Sequence, residues 1–251
     1  MLSLEQVNFS YQNQQIFNEL TLAIADNKIT TIVGPNGSGK STLFKLLTRG
    51  IRPNTGRVLL DGKDIWKISS REFAQRVALV HQKNELFDEI KVRDLIKMGR
   101  LPYQGLMGNL DESKKTDEIL AALELNSVKD KLVSELSGGQ QQRVWLGLSL
   151  AQEPEYLFLD EPTTYLDLHF QVQFLQLIKK LNRENGLTIC MILHDLNQAL
   201  RYSDQVILVK DGEIESKGLP EEVLTQDNIR DAFGIDCHVI ETERGPIIEQ
   251  F

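Results

Sequence analysis

The 251-residue chain has only two cysteines, Cys190 and Cys237, too few for a disulfide framework. Cys190 sits within an apolar run and Cys237 is isolated, so both are expected to be structural. No apolar run approaches the ~20 residues needed to span a bilayer. Met1-Leu2-Ser3-Leu4-Glu5 has neither the basic start nor the apolar centre of a secretory signal. Basic charge is also scarce: 28 Lys and Arg against 36 Asp and Glu leave a net charge of −8. That balance argues against a nucleic-acid partner held by phosphate neutralisation. Internal repeats and low-complexity segments are missing as well. What remains is an ordinary globular composition, 41% hydrophobic and 25% charged, long enough for one large domain or two small lobes. A cytosolic location is expected.

The most informative stretch is Gly34-Pro35-Asn36-Gly37-Ser38-Gly39-Lys40-Ser41-Thr42. It follows the apolar run Ile29 to Val33 and leads into the helical pattern from Leu43 to Leu47. Strand, glycine-rich turn and helix together make the setting of a phosphate-binding loop. Gly34, Gly37 and Gly39 allow backbone N–H groups to close around phosphate oxygens. The helix starting near Lys40 adds its positive end. Lys40 is expected to reach the β- and γ-phosphates and the Ser41 hydroxyl to ligate Mg²⁺, with Thr42 toward the α-phosphate. A chance match to this pattern has a frequency of about 1% in a chain of this length.

The other candidates lie at strand ends. Val77 to Val80 reads as a buried strand that leads through His81 to Gln82, which can reach a metal or a water. Tyr156 to Leu159 delivers Asp160 and Glu161 at the edge of an open parallel sheet where ligands bind. One of these carboxylates can hold a Mg²⁺ shell while the other polarises the attacking water. Leu187 to Leu193 ends at His194, which repeats the strand-end placement of Gln82 and Glu161. Three polar residues at three strand ends point to one shared site. Leu136-Ser137-Gly138-Gly139-Gln140 ahead of a helix makes a second small anion-binding turn. Tyr11, past the strand pattern Leu2, Leu4, Val7, Phe9, offers an aromatic face for a base. A strand is expected over Leu20 to Ile24, and helices from Val92 to Met98 and Asp111 to Leu125. A loop with Pro102, Gly105 and Gly108 is expected between those helices. A polar helical tail from Glu221 to Gly234 is expected to end in a strand at His238 to Glu241.

The order of these motifs resembles the ATP-binding-cassette (ABC) ATPases across nearly the whole chain. Gly34 to Thr42 resembles their Walker A, with Asn36 and Ser38 among the nucleotide-binding positions. Gln82 resembles the Q-loop and Leu136 to Gln140 the signature motif. Tyr156 to Asp160 resembles Walker B, with Glu161 as catalytic glutamate. Asp167 falls in the D-loop, His194 is the switch histidine and Tyr11 the adenine-stacking aromatic. The resemblance implies an α/β fold: a P-loop NTPase (RecA-like) core with an N-terminal antiparallel β subdomain and an inserted α-helical subdomain. It implies a catalytic lobe over 1–82 and 154–225, a helical lobe with the signature over 83–153, and a C-terminal tail over 226–251.

The implied chemistry is ATP hydrolysis, with ATP and Mg²⁺ bound. Glu161, His194 and Gln82 are catalytic, and Ser41, Gln82 and Asp160 face the metal. Two copies are expected to pair head to tail, so that Ser137, Gly138 and Gly139 meet the nucleotide held by the other copy, and Gln140 and Asp167 are also expected among the nucleotide-binding residues. Met98 to Tyr103, Glu161 to Asp167 and Leu193 to Ala199 resemble the importer subgroup for iron–siderophore complexes, haem and cobalamin. Tyr165 stands where that group more often has Phe, and His81 where it more often has Pro. The implied partners are integral-membrane permease subunits on separate chains and a substrate-binding protein. The implied place is the cytoplasmic face of the membrane, as a peripheral subunit. Iron(III)-siderophore uptake is the leading reading. Haem or cobalamin import, or a soluble ABC ATPase of iron–sulfur assembly, are the alternatives.

Overall fold

The computed structural model describes residues 1–82, 89–103, 111–243 and 245–251. Lys83, where the helical lobe is expected to begin, and Gly105, Gly108 and Leu110 of the expected loop lie outside the described residues. The chain divides into two compact units, 1–68 with 179–251, and 69–178.

The first unit opens with a hairpin of β1 (Leu2–Tyr11) and β2 (Gln14–Ala23). Leu2, Leu4, Val7 and Phe9 are all buried, although their spacing slips by one residue after Leu4. A bulge absorbs the slip: the β1–β2 register shifts between Leu4 and Val7, and Gln6 takes a φ of 47°. Strand β2 starts at Gln14, six residues before its apolar alternation becomes legible. β3 (Ile29–Val33) is buried throughout and is followed by α1 (Lys40–Leu47). β4 (Thr55–Leu60) pairs antiparallel with β1, and β5 (Lys63–Asp64) extends that sheet to the order β2-β1-β4-β5.

In the second unit, α2 (Ser70–Arg76) is capped by Ser69 Oγ, which accepts from Glu72 N at 3.1 Å. It feeds β6 (Val77–Val80), followed by α3 (Val92–Met98), α4 (Asp111–Ala122) and α5 (Gly138–Leu150). These helices form the expected inserted layer. A Cβ at Gly147 of α5 would lie 3.0 Å from both Ile96 of α3 and Leu123 just past α4, so a small residue lets three elements meet. β7 (Tyr156–Asp160) pairs with β6 in parallel, and α6 (Leu168–Asn185) follows. Phe158, Val144 and Leu146 are fully buried in this core.

The chain then builds β8 (Thr188–Ile192), α7 (Leu196–Tyr202), β9 (Gln205–Lys210) and β10 (Glu213–Gly218). Within the first unit the strand order is β10-β9-β3-β8, parallel between β9, β3 and β8. Short α8 (Pro220–Val223) and α9 (Gln226–Phe233) lead to β11 (Cys237–Ile240) and β12 (Ile247–Gln250). The sequence predicts only the first of these two strands. β12 has a two-residue apolar core and exists through its pairing, Val239 with Ile248 and Ile240 with Ile247.

Candidate functional site

Strand register assembles the site. In the first unit Ile32 of β3 lies beside Ile192 of β8, so both strands run out together at their carboxyl ends. The phosphate-binding loop leaves β3 there, and exposed His194 leaves β8. Asp195 caps α7 directly after His194: its Oδ1 accepts from Asn197 N at 2.8 Å and Gln198 N at 3.1 Å.

The loop is built so that a backbone cradle stays open. Gly39, the N-cap of α1, has φ 106°, and a Cβ there would lie 2.9 Å from Phe17 of β2. Gly34, at φ 153°, passes so close to β9 that a Cβ would run into Val209 O. The hairpin end that supports Gly39 also carries Tyr11, 43% exposed, with its ring set edge-on to Phe9 at 4.8 Å. Lys40 is buried and its Nζ donates to Gly34 O and Pro35 O, each at 2.8 Å. The Ser38 Oγ is buried and has no hydrogen-bond partner. A buried hydroxyl left unsatisfied and an ammonium folded onto the loop that surrounds it fit an anion seated in this cradle. Asn36 and Ser41 are exposed and Thr42 half-buried at the same end of α1.

In the second unit Val80 of β6 pairs with Leu159 of β7. Gln82 and Glu161 each lie two residues further on, and they meet: Gln82 Nε2 donates to Glu161 Oε2 at 2.5 Å. Thr164 Oγ1 donates to the same oxygen at 3.1 Å. Glu161 has φ 49°, a left-handed conformation uncommon for a residue with a Cβ. Asp160 is the last residue of the strand, and Glu161 follows it outside the extended backbone.

Ser137 and Gln140 form a reciprocal cap at the start of α5. Ser137 Oγ accepts from Gln140 N at 3.4 Å, and Gln140 Oε1 accepts from Ser137 N at 3.2 Å. Gln140 is therefore occupied in shaping the turn. Gly138 has nothing within 4 Å of its absent Cβ, which leaves that side of the turn open. Gly139 faces the other way, where a Cβ would lie 2.9 Å from the Phe170 ring. Asp167 Oδ1 accepts from Phe170 N at 3.1 Å and opens α6.

Several supporting residues escape a reading of the sequence. Gln141 Nε2 donates to Val133 O and Leu136 O, and Gln171 Nε2 to Thr163 O and Leu166 O. Each glutamine reaches back five and eight residues to fasten the loop before its helix. The signal was a Leu with a Gln five residues later, present in both motifs. Thr164 and Phe170 were not separable from their neighbours without the structure.

Among the described residues no cluster of three or more His, Cys, Asp and Glu could hold a metal ion. Ser41 of the first unit offers a hydroxyl oxygen, and Gln82 and Asp160 of the second offer an amide and a carboxylate oxygen, each of the hard donor type that Mg²⁺ takes. Burial pushes the Cys190 thiol far up, so it stays protonated and packs as a small apolar group.

Residues 17–164 match the family model described as ABC transporter. The chain is 42% identical to the iron(3+)-hydroxamate import ATP-binding protein FhuC of Bacillus subtilis, over 97% of this chain and 91% of that protein. It is 39% identical to the ferric enterobactin transport ATP-binding protein FepC of Escherichia coli, over 94% and 88%. Among solved structures it resembles the ATP-binding cassette MJ0796, a dimer in a post-hydrolysis state bound to ADP and Pi. That likeness has a TM-score of 0.76 and 29% identity over 88% of this chain and 99% of that one.

Proposed function

The chain belongs to the ABC transporter ATPases, and from that premise we propose that it is the ATP-hydrolysing subunit of a bacterial importer of iron(III)–siderophore complexes. It binds and hydrolyses ATP. The observation that carries the cargo is the end-to-end similarity to FhuC, an iron(3+)-hydroxamate import ATP-binding protein, at 42% identity.

Lys40 and the N–H groups of the loop from Gly34 to Thr42 hold the phosphates, and Ser38 contributes its unsatisfied hydroxyl. Tyr11 offers its exposed ring to the adenine. Ser41, Asp160 and Gln82 would hold Mg²⁺, which would supply positive charge to neutralise the phosphates. Glu161 polarises the attacking water, steadied by its hydrogen bonds from Gln82 and Thr164. His194 completes the γ-phosphate side of the site.

The signature turn acts on the nucleotide of a second copy. Ser137 and Gly138 are exposed, and Tyr165 just before α6, with Leu168 and Val172 at its start, expose 64%, 75% and 38% of their surface. An apolar stripe of that size beside an anion-binding turn supports burial against a partner. Membrane permease subunits are the other partners, with a substrate-binding protein on the far side and this subunit on the cytoplasmic face. Among the described residues no helix is long and apolar enough to cross a membrane. The lobe over 83–153 carries the motion to the permease.

The test is uptake of labelled iron–siderophore, haem and cobalamin by cells in which this protein carries Glu161→Gln. Loss of iron–siderophore uptake alone is the expected result. Loss of haem or cobalamin uptake instead reassigns the cargo, and no loss of any, with copurification of a soluble scaffold, moves the protein to iron–sulfur assembly.

A further inference from the structure

The C-terminal hairpin lies outside the nucleotide-binding motifs, yet one residue ties it to the strand end that carries His194. Asn197 stands three residues after His194, in the first turn of α7. Its Oδ1 accepts from Ile248 N at 2.7 Å and its Nδ2 donates to Ile248 O at 2.9 Å. A single side-chain amide thus takes both backbone groups of one residue, the exchange that a neighbouring strand would make. Asn197 covers this rung on the outer edge of β12, 51 residues away in sequence.

The tie matters because of what it holds. Helix α7 has seven residues, too few to fix its own direction, so its placement rests on packing and side-chain anchors. Leu196 and Ala199 are buried beneath it, at 3% and 0% exposure. Asp195 binds the backbone N–H of Asn197, and Asn197 binds the hairpin. The hairpin is anchored in turn by Ile248 and Cys237, 4% and 0% exposed. Across this chain of contacts, His194 is exposed and sits directly before the cap. The last bond of β8 toward β3, Leu193 N to Ile32 O, is long at 3.3 Å. Asp195, Asn197 and the hairpin therefore hold this strand end in addition to the sheet.

We propose that Asn197 is a positioning residue for His194, and that the hairpin β11–β12 is the anchor through which it works. The proposal rests on the reading that His194 acts in hydrolysis. Fixing a reacting group to a fraction of an ångström is worth large factors in rate while leaving substrate affinity untouched.

The experiment uses the full-length chain and compares Asn197→Ala, Asn197→Asp, His194→Ala and the unmodified protein for steady-state ATP hydrolysis. Hydrogen exchange at the Ile248 amide is followed in parallel. Asn197→Ala is expected to lower kcat about 10-fold with KM for ATP unchanged, and to speed exchange at Ile248. Asn197→Asp keeps the acceptor for the Ile248 N–H and loses the donor, so it is expected to fall between, and it serves if Asn197→Ala fails to fold. A normal kcat for either Asn197 variant, beside accelerated exchange and an inactive His194→Ala, overturns the positioning role. So does a change confined to KM. A normal kcat for His194→Ala overturns the underlying reading of the histidine instead.

Discussion

Gln82 Nε2 and Glu161 Oε2 meet at 2.5 Å, each two residues beyond a matched pair of positions on β6 and β7. Two parallel strands of equal reach have delivered an amide and a carboxylate to one point. Because the amide donates, it orients the carboxylate without neutralising it, and one lone pair of Glu161 stays directed by the fold.

Glu161→Gln removes the charge and keeps the shape. Hydrolysis is expected to fall by about 100-fold or more, while nucleotide binding persists and ATP-bound dimer accumulates. Single-turnover hydrolysis and gel filtration with ATP check it. Unchanged turnover would remove Glu161 from the chemistry.

Lys40→Met tests the phosphate-binding loop of the first unit. It deletes the two bonds from Nζ to Gly34 O and Pro35 O as well as the charge offered to phosphate. ATP affinity is expected to drop about 100-fold, since charge-assisted bonds to phosphate are among the stronger ones. Equilibrium binding of a fluorescent ATP analogue measures this, and affinity within twofold of normal contradicts the cradle.

Gly139 lies against Phe170, and a Cβ there would come within 2.9 Å of the ring. Gly139→Ala is therefore expected to displace the start of α6 and with it Asp167. Turnover should fall about 10-fold, some 1.4 kcal/mol of barrier, with nucleotide binding to the monomer intact. Adding Phe170→Ala should restore part of the rate. A double variant as slow as the single one would put the obstruction on the nucleotide side of Gly139.

These relationships differ in how visible they were beforehand. The phosphate-binding loop was legible because everything it needs is local: a buried strand, three glycines and a helix within nineteen residues, Ile29 to Leu47. The strand-end residues were legible one at a time, from short apolar runs that stop at Gln82, Glu161 and His194. The meeting of Gln82 with Glu161 was not, since only the register of Val80 with Leu159 decides that these two strand ends coincide. Gln140 shows the opposite failure. Ser137-x-x-Gln140 is a capping pattern visible in the sequence, but the neighbouring glycines drew the reading toward an anion site alone. β12 depends on its pairing with β11 and the Asn197–Ile248 tie on a contact across 51 residues, and nothing in Pro246-Ile247-Ile248-Glu249 marks a strand by itself.

Glu153 supplies a prediction about pH that is independent of the nucleotide. Burial pushes its carboxyl up, but hydrogen bonds from Lys115 and Arg100, with their positive charges, outweigh this and hold it below the ordinary glutamate value. The two partners sit 2.8 Å away, Lys115 Nζ on one oxygen and Arg100 Nη1 on the other. A carboxyl depressed in the folded state stabilises above its unfolded value of about 4.3 and loses that contribution as pH falls through the folded value. The side chain is 41% exposed, so solvent screening limits the contribution to under about 1 kcal/mol. Glu153→Gln is expected to melt roughly 1–3 °C lower at pH 7. The gap should hold down to about pH 5 and close as the pH falls toward and below 4, because the unmodified protein then also carries a neutral side chain. Thermal melts of both proteins across pH 3.5 to 7 measure it. A gap of constant size over that whole range would mean that Glu153 acts through packing of its stem against Arg100, and not through its charge.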